Sequence, residues 1–394
     1  MPWLLKMSLA VSVLMVPAVM YLTLRFYSVA RLILGFESWK RAIIPAVFWS
    51  FYLFPITALI YYFVVGDIDV LRFPKLLTYW FWFGLVFVYL LATWVILADV
   101  IKWVIHLFSN SKSLVDRLHA WTLLLCCVLL FGFTAWKVYN NTTEISTRSV
   151  NLHIENLPPE LEGFKIVHIS DIQGDEYTGP LKIARYIRKV NQLHPDLIVF
   201  TGDLISYGTD YIEMSARELG KAKATYGTVA VVGDHDYWAG VENVVQALNR
   251  KGIPVIQDEN HCVNIDSLNS ILITGVTEVY SKKVAPAVVD SLTKNSGSPA
   301  VKIFASHQIS EHLVKDAESH GYDLFLAGHT HGGQVRVPFM GMTFSASDLE
   351  TDFISGVYHA GNLLLNVNNG LGFTLAPIRY NALADISVIR LKSE

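Results

Sequence analysis

The stretch Asp323-Leu324-Phe325-Leu326-Ala327-Gly328-His329-Thr330-His331-Gly332-Gly333-Gln334 decides the fold. Its first half is a short apolar run, Asp323–Ala327, of the length and composition of a buried strand. Its second half is a turn in which two histidines at i and i+2 are preceded by one glycine and followed by two, so that both imidazoles can be aimed at neighbouring ions. The same order, apolar run and then chemically capable residues, recurs upstream. Phe164–Ile169 leads to Asp171 and Gln173, Leu197–Thr201 to Gly202-Asp203, Thr228–Val232 to Gly233-Asp234-His235-Asp236, and Val301–Ala305 to Ser306-His307. Two more apolar runs, Ile271–Thr274 and Leu363–Val367, complete the predicted strands. Helical periodicity lies between them at 181–193, 211–224, 241–251, 285–294 and 309–319. Alternation of this kind defines an α/β domain, in which ligands bind beyond the carboxyl ends of the strands and five separate turns can converge. Carboxylates, imidazoles and an amide oxygen are the donors that hard or borderline divalent ions take.

Upstream of about residue 150 the sequence is of another kind. Of the 394 residues, 52% are hydrophobic and 16% charged, with a mean hydropathy of +0.38, which argues against a purely cytosolic enzyme. The excess lies in four apolar runs near 8–24, 43–65, 77–98 and 119–136, each long enough to cross a hydrocarbon core that needs roughly 20 helical residues. The first is read as a retained anchor rather than a signal peptide, because three more spans follow and no small-x-small cleavage site is visible. The expected organisation is a four-helix transmembrane domain at 1–138, a short polar linker at 139–149 and a globular domain at 150–394. Residues 1–138 carry 11 Lys/Arg against 5 Asp/Glu and the remainder 20 against 29, so a basic membrane half is joined to an acidic globular half. Lys/Arg number seven in the 25–42 and 99–118 loops and five on the other side, where Asp67, Asp69 and Arg72 lie. That bias predicts a multi-pass cell-membrane protein with both termini, and the globular domain, outside the cytoplasm. Asp99 and His106 are read as boundary residues at the inner end of the third span. Cys126, Cys127 and Cys262 form no disulfide framework.

Taken in order, the blocks Asp171-Ile172-Gln173, Gly202-Asp203-Leu204-Ile205-Ser206, Gly233-Asp234-His235-Asp236, His307 and Gly328–Gln334 resemble the calcineurin-like metallophosphoesterase superfamily, and within it the membrane-anchored bacterial branch. Gly370-Leu371-Gly372 followed by Pro377-Ile378-Arg379 is also similar to that branch. The resemblance implies a four-layer αββα sandwich and two divalent metal ions; manganese is the expected metal, with magnesium, iron and zinc as alternatives. It assigns Asp171, Gln173, Asp203 and His331 to one ion, and Asp203, Asp234, His307 and His329 to the other. His235 is implied as the catalytic residue that protonates the leaving group or steadies the transition state. Arg379 is a candidate for binding a substrate phosphate.

Three positions depart from the family pattern. Gln173 replaces an imidazole by a neutral amide oxygen, a weaker donor to zinc and a better match for manganese or magnesium. Asp234 stands where an asparagine is usual and adds a negative charge to the second site. Ser206 stands where the family often has the aspartate that orients the catalytic histidine, so either Asp236 or another acid compensates, or leaving groups must be good ones. The expected function is a membrane-anchored, metal-dependent phosphoesterase acting on a phosphorylated lipid or envelope-linked substrate, with no nucleic-acid partner. The alternative is a catalytically weak metal-binding regulatory or accessory membrane module.

Overall fold

A computed structural model describes residues 2–33, 35, 37, 40–66 and 73–394. Asp67, Asp69 and Arg72, which enter the loop-charge comparison, lie outside the described residues. The chain divides into two compact units. One comprises residues 1–143 together with the later segments 335–345 and 375–381, and the other comprises 144–334, 346–374 and 382–394.

The first unit contains four helical stretches long and apolar enough to cross a membrane. They are α1 (Trp3–Leu32); the span Lys40–Val65, made of α2 (Ile43–Trp49) and α3 (Leu53–Val65) joined through a 3-10 turn; α4 (Lys75–Phe108); and α5 (Lys112–Thr143). Each is longer than the apolar run that predicts it, because helix continues past the hydrocarbon-length stretch into polar ends. The segment expected as a linker is not one: α5 runs on to Thr143, and the polar residues there serve hydrogen bonding rather than flexibility. Thr142 Oγ1 accepts the Arg379 N–H at 3.0 Å and Asn141 Oδ1 accepts that of Asn381 at 2.8 Å. Asp99 also differs from a boundary residue reaching for water. Its largely covered carboxylate meets Arg25 Nε at 2.6 Å, His119 Nε2 at 2.9 Å and the Tyr21 hydroxyl at 2.5 Å, tying together α1, α4 and α5.

The second unit begins with β1 (Ile145–Ile154), followed by β2 (Lys165–Ile169), α6 (Pro180–Asn191), β3 (Leu197–Phe200), α7 (Ile212–Leu219), β4 (Thr228–Ala230), α8 (Asp234–Trp238), α9 (Val241–Asn249), β5 (Glu259–Asn264), β6 (Ser270–Gly275), α10 (Pro286–Lys294), β7 (Val301–Ala305), α11 (Glu311–Ser319) and β8 (Leu324–Ala327). The hairpin β9 (Val337–Phe339) and β10 (Met342–Phe344) belongs to the first unit. The second resumes with β11 (Gly356–Ala360), β12 (Leu363–Val367) and β13 (Ala384–Ser393). One sheet has the order β1-β13-β2-β3-β4 and the other β11-β12-β8-β7-β6-β5. Each is mixed: β2, β3 and β4 run parallel, as do β12, β8, β7 and β6, while β13/β2, β11/β12 and β5/β6 are antiparallel.

The layering follows from the two-residue period of a strand. Ile166, Leu197, Val199, Ile303, Leu324 and Leu326 join one buried cluster between the sheets. Their neighbours Val167, Ile198 and Phe200 turn the other way, onto Ile183 and Ile187 of α6, Leu219 of α7 and Val244 of α9. On the opposite side Phe304 and Phe325 pack against Val289 of α10 and Leu313 of α11. Both faces of the central strands are therefore covered, which is why they read as unbroken apolar runs. The result is the expected four-layer αββα sandwich. Strands β2, β3 and β4 are neighbours in one sheet and β7 and β8 in the other, so the turns that follow them share one end of the sandwich.

Candidate metal centre

The turns after β2, β3 and β8 reverse sharply. Asp171, Gln173, Asp203, His329 and His331 all have φ between 50° and 69°, left-handed backbone that is uncommon for residues with a Cβ and clusters where surrounding structure holds a functional geometry in place. Glycine is needed where these turns touch. A Cβ on Gly328 would lie 1.8 Å from Ser170 Oγ and 2.5 Å from Asp171 Oδ2, and one on Gly233 would lie 2.1 Å from Asp203 Oδ1.

Donors converge in two overlapping triads, Asp171–Asp203–His307 and Asp234–His307–His329, with the ligand atoms of each within 4.8 Å of one another. His307 Nε2 is 3.3 Å from Asp203 Oδ2, 3.4 Å from Asp234 Oδ2 and 4.0 Å from Asp171 Oδ1. His329 Nδ1 approaches Asp234 Oδ2 at 3.0 Å, and His331 Nε2 approaches Asp171 Oδ1 at 3.2 Å. The Gln173 amide donates to Asp203 Oδ2 at 2.7 Å. All seven residues expected as metal ligands are thus brought to one place. Asp171, Gln173 and His307 are fully buried; Asp171 Oδ1 and His307 Nε2 meet only the ion-pair contacts given above, and among the described residues Gln173 Oε1 has no hydrogen-bond partner. A buried acceptor left as Gln173 Oε1 is costs roughly 1–3 kcal/mol unless something else satisfies it. Divalent cations fit that demand, and the oxygen and imidazole donors fit divalent cations.

Electrostatics point the same way. Burial disfavours charge on Asp171, but His331 and His307 outweigh it and hold the carboxyl well below the usual range. Asp234 is likewise held low against its burial by His329 and His307. Burial opposes protonation of His307 and His329, but the carboxylates around them prevail. His307 is raised by Asp203, Asp171 and Asp234, and His329 is raised to about 9 by Asp234 and Glu350. Protons thus take the place of cations among these carboxylates.

Supporting contacts fix the ligands. His307 Nδ1 lies 2.7 Å from the Thr201 carbonyl. Asp234 accepts from the Tyr280 N–H at 2.6 Å and the Gln308 amide at 2.8 Å. His329 Nε2 faces Glu350 Oε2 at 3.1 Å and the Tyr280 hydroxyl at 3.3 Å. Gln308, Tyr280 and Glu350 escape a reading of the sequence because they act through the ligands and sit in loops with no periodic signal; only Gln308, next to His307, had a local hint.

His235 is placed by α8, with its N–H on Asp203 Oδ1 at 2.8 Å and its Nε2 3.5 Å from Thr374 Oγ1. Its Nδ1 contacts the main-chain carbonyl of Ser206, so the backbone of Ser206, not its hydroxyl, orients the ring. Asp236 does not stand in for the family's aspartate. It accepts the N–H groups of Asp203 and Leu204 at 2.8 Å each and of Gly233 at 3.0 Å. Burial and the nearby Asp203 carboxylate push its pKa up to about 6. Arg379 lies fully buried on the segment 375–381, which belongs to the helical unit. His168 is a buried structural residue, hydrogen-bonded to Thr201 and Asn366 and held neutral by burial, its pKa lowered to about 3.

A two-sheet sandwich with carboxylates and imidazoles converging at the ends of five strands defines a metallophosphoesterase-type domain. Residues 164–333 match the calcineurin-like phosphoesterase family. Among similar proteins are an uncharacterized metallophosphoesterase of Helicobacter pylori, 27% identical over 66% of this chain and 68% of its own, and another of Bacillus subtilis, 29% identical over 63% of this chain and 86% of its own. A transmembrane protein with a metallophosphoesterase domain from Danio rerio is 26% identical over 73% of this chain and 67% of its own. With its four apolar helices and such relatives, the chain is a membrane protein.

Proposed function

We propose that the chain is a membrane-anchored phosphoesterase in which Asp171, Gln173, Asp203 and His331 hold one divalent ion and Asp203, Asp234, His307 and His329 a second, manganese being the best match to the donors. The observation that carries this reading is the convergence of Asp171, Asp203, Asp234, His307 and His329 in two overlapping triads beside the buried Gln173 Oε1, which has no hydrogen-bond partner among the described residues. Bound there, such ions supply Lewis acidity to phosphoryl oxygens and lower the pKa of water. The chain's own residues supply the rest. Asp203 is shared between the sites, and His235, its Nδ1 turned to the Ser206 carbonyl, leaves Nε2 to hand a proton to the departing oxygen. Among the described residues the His235 ring meets the Ser206 carbonyl and the Thr374 hydroxyl rather than a carboxylate, which favours esters with good leaving groups. A phosphorylated lipid or envelope-linked substrate accords with an anchor of four spans. The test is turnover by the purified full chain with manganese, on bis-p-nitrophenyl phosphate and on total lipid extract. Release of nitrophenol or phosphate that disappears with chelator supports the enzyme. Two bound metals without turnover on any ester instead favour the regulatory module, to which the departures at Gln173, Asp234 and Ser206 already lean.

A further inference from the structure

We infer that the β9–β10 hairpin is immersed in the bilayer, its exposed side chains Met340, Met342 and Phe344 facing acyl chains. The inference concerns a surface, not turnover, and does not depend on the catalytic reading.

The hairpin is a two-residue turn between Phe339 and Met342, which pair across the ladder. Both turn residues, Met340 and Gly341, have positive φ (51° and 84°), as the tightest hairpin connections require. Within the first unit it packs on α4. The Phe339 and Tyr89 rings meet edge to face with centroids 5.8 Å apart, and the Met340 N–H donates to Thr93 Oγ1 at 3.3 Å. The depth of these two α4 residues is set by the helix. Residues 76–98 contain no charged side chain, a run about 34 Å long at ~1.5 Å per residue. Tyr89 lies roughly 21 Å along the axis from Lys75, near the middle of that run. Trp94 and Leu97 on the same helix are exposed, as lipid-facing residues are.

Met340, Met342 and Phe344 are 52%, 57% and 49% exposed, a concentration of apolar surface that water would penalise. Continuity with the apolar stretch of α4 gives it acyl chains instead. Irregular backbone in lipid is normally prohibitive because its N–H groups go unsatisfied. Here that demand is reduced: position 338 is proline and has no N–H, the Met340 N–H is taken by Thr93, and the Arg336 N–H donates to the Tyr380 carbonyl at 2.9 Å.

The test is nitroxide accessibility in the full chain, reconstituted in phosphatidylcholine/phosphatidylglycerol nanodiscs after Cys126→Ala, Cys127→Ala and Cys262→Ser. A label is introduced by Met342→Cys, with Phe344→Cys as a second position in case the first is poorly tolerated. Leu268→Cys, in an exposed turn between β5 and β6, is the aqueous reference. The expected result at either hairpin position is relaxation several-fold stronger by oxygen than by a neutral nickel chelate, with the opposite order at 268. Nickel accessibility equal to the reference would overturn the proposal, and so would a hairpin label reached by neither reagent, which would mean that protein covers it.

Discussion

In the proposed two-metal reading, Gln173 is the residue on which metal choice turns. Its Oε1 is buried without a partner while its Nε2 is spent on Asp203, so one weak oxygen donor serves where an imidazole would bind harder. Gln173→His is expected to raise affinity at the first site and to shift preference from manganese toward zinc, read by elemental analysis and competition titration; a residue merely near the site would give no change. Protons compete for the same cluster. Because His329 is raised to about 9 and His307 is raised as well in the metal-free protein, their imidazoles must lose protons before they can ligate. Apparent metal affinity should therefore climb as pH rises toward about 9 and then level off. Calorimetry in buffers of different ionisation enthalpy should show proton release on binding near neutrality, and a pH-independent affinity with no release would contradict these pairings. For His235, replacement by alanine should cost roughly 10²–10⁴-fold on esters with poor leaving groups and much less on nitrophenyl esters. Equal losses on both would reassign it to positioning or electrostatics.

The short helix α8 shows how an element, rather than a residue, sets the site. Its Asp236 gathers the N–H groups of Gly233, Asp203 and Leu204, locking the β3 and β4 turns together and with them Asp203 and Asp234. Asp236→Ala leaves three buried donors unsatisfied, at roughly 1–3 kcal/mol apiece. A loss of about 3 kcal/mol or more is expected in denaturant unfolding of the metal-free protein, and a change below about 1 kcal/mol would show that water replaces the carboxylate. The same element marks where the sequence is legible. Strands buried on both faces announce themselves: β7 and β12 coincide with their apolar runs, Val301–Ala305 and Leu363–Val367. By contrast the first half of β1, residues 145–149 with Ser146 and Arg148, reads as polar linker, because its side chains alternate in burial and its partner β13 lies more than 200 residues away. The candidate ligands are legible because each follows an apolar run. Their supports, Tyr280, Gln308 and Glu350, are not, because a hydrogen bond between loops leaves no periodic trace.

At the scale of the whole molecule the open matter is the side of the membrane on which the globular unit works. Four crossings would return the chain to the side on which α1 begins, so the start of α1 and the globular unit are expected in one compartment. The basic residues collect at the opposite helix ends: Arg25 and Arg31 near the end of α1, Lys40 and Arg41 at the start of the second span, Lys102 late in α4, and Lys112 and Arg117 at the start of α5. Some of that charge is offset by paired acids, Asp99 with Arg25 and Asp116 with Lys102 at 2.8 Å, but it is Lys and Arg, not net charge, that retain a loop in the cytoplasm. The turn between α4 and α5, residues 109–111, is accordingly expected inside and the globular unit outside. Alkaline phosphatase fused after Glu394 should be active and green fluorescent protein at the same point dark, while insertions at 110 should give the reverse pair. The opposite pattern at both sites would place the phosphoesterase domain in the cytoplasm. Its candidate substrates would then be those of the inner leaflet, and the preference for lipids carried outside the cell membrane would fall.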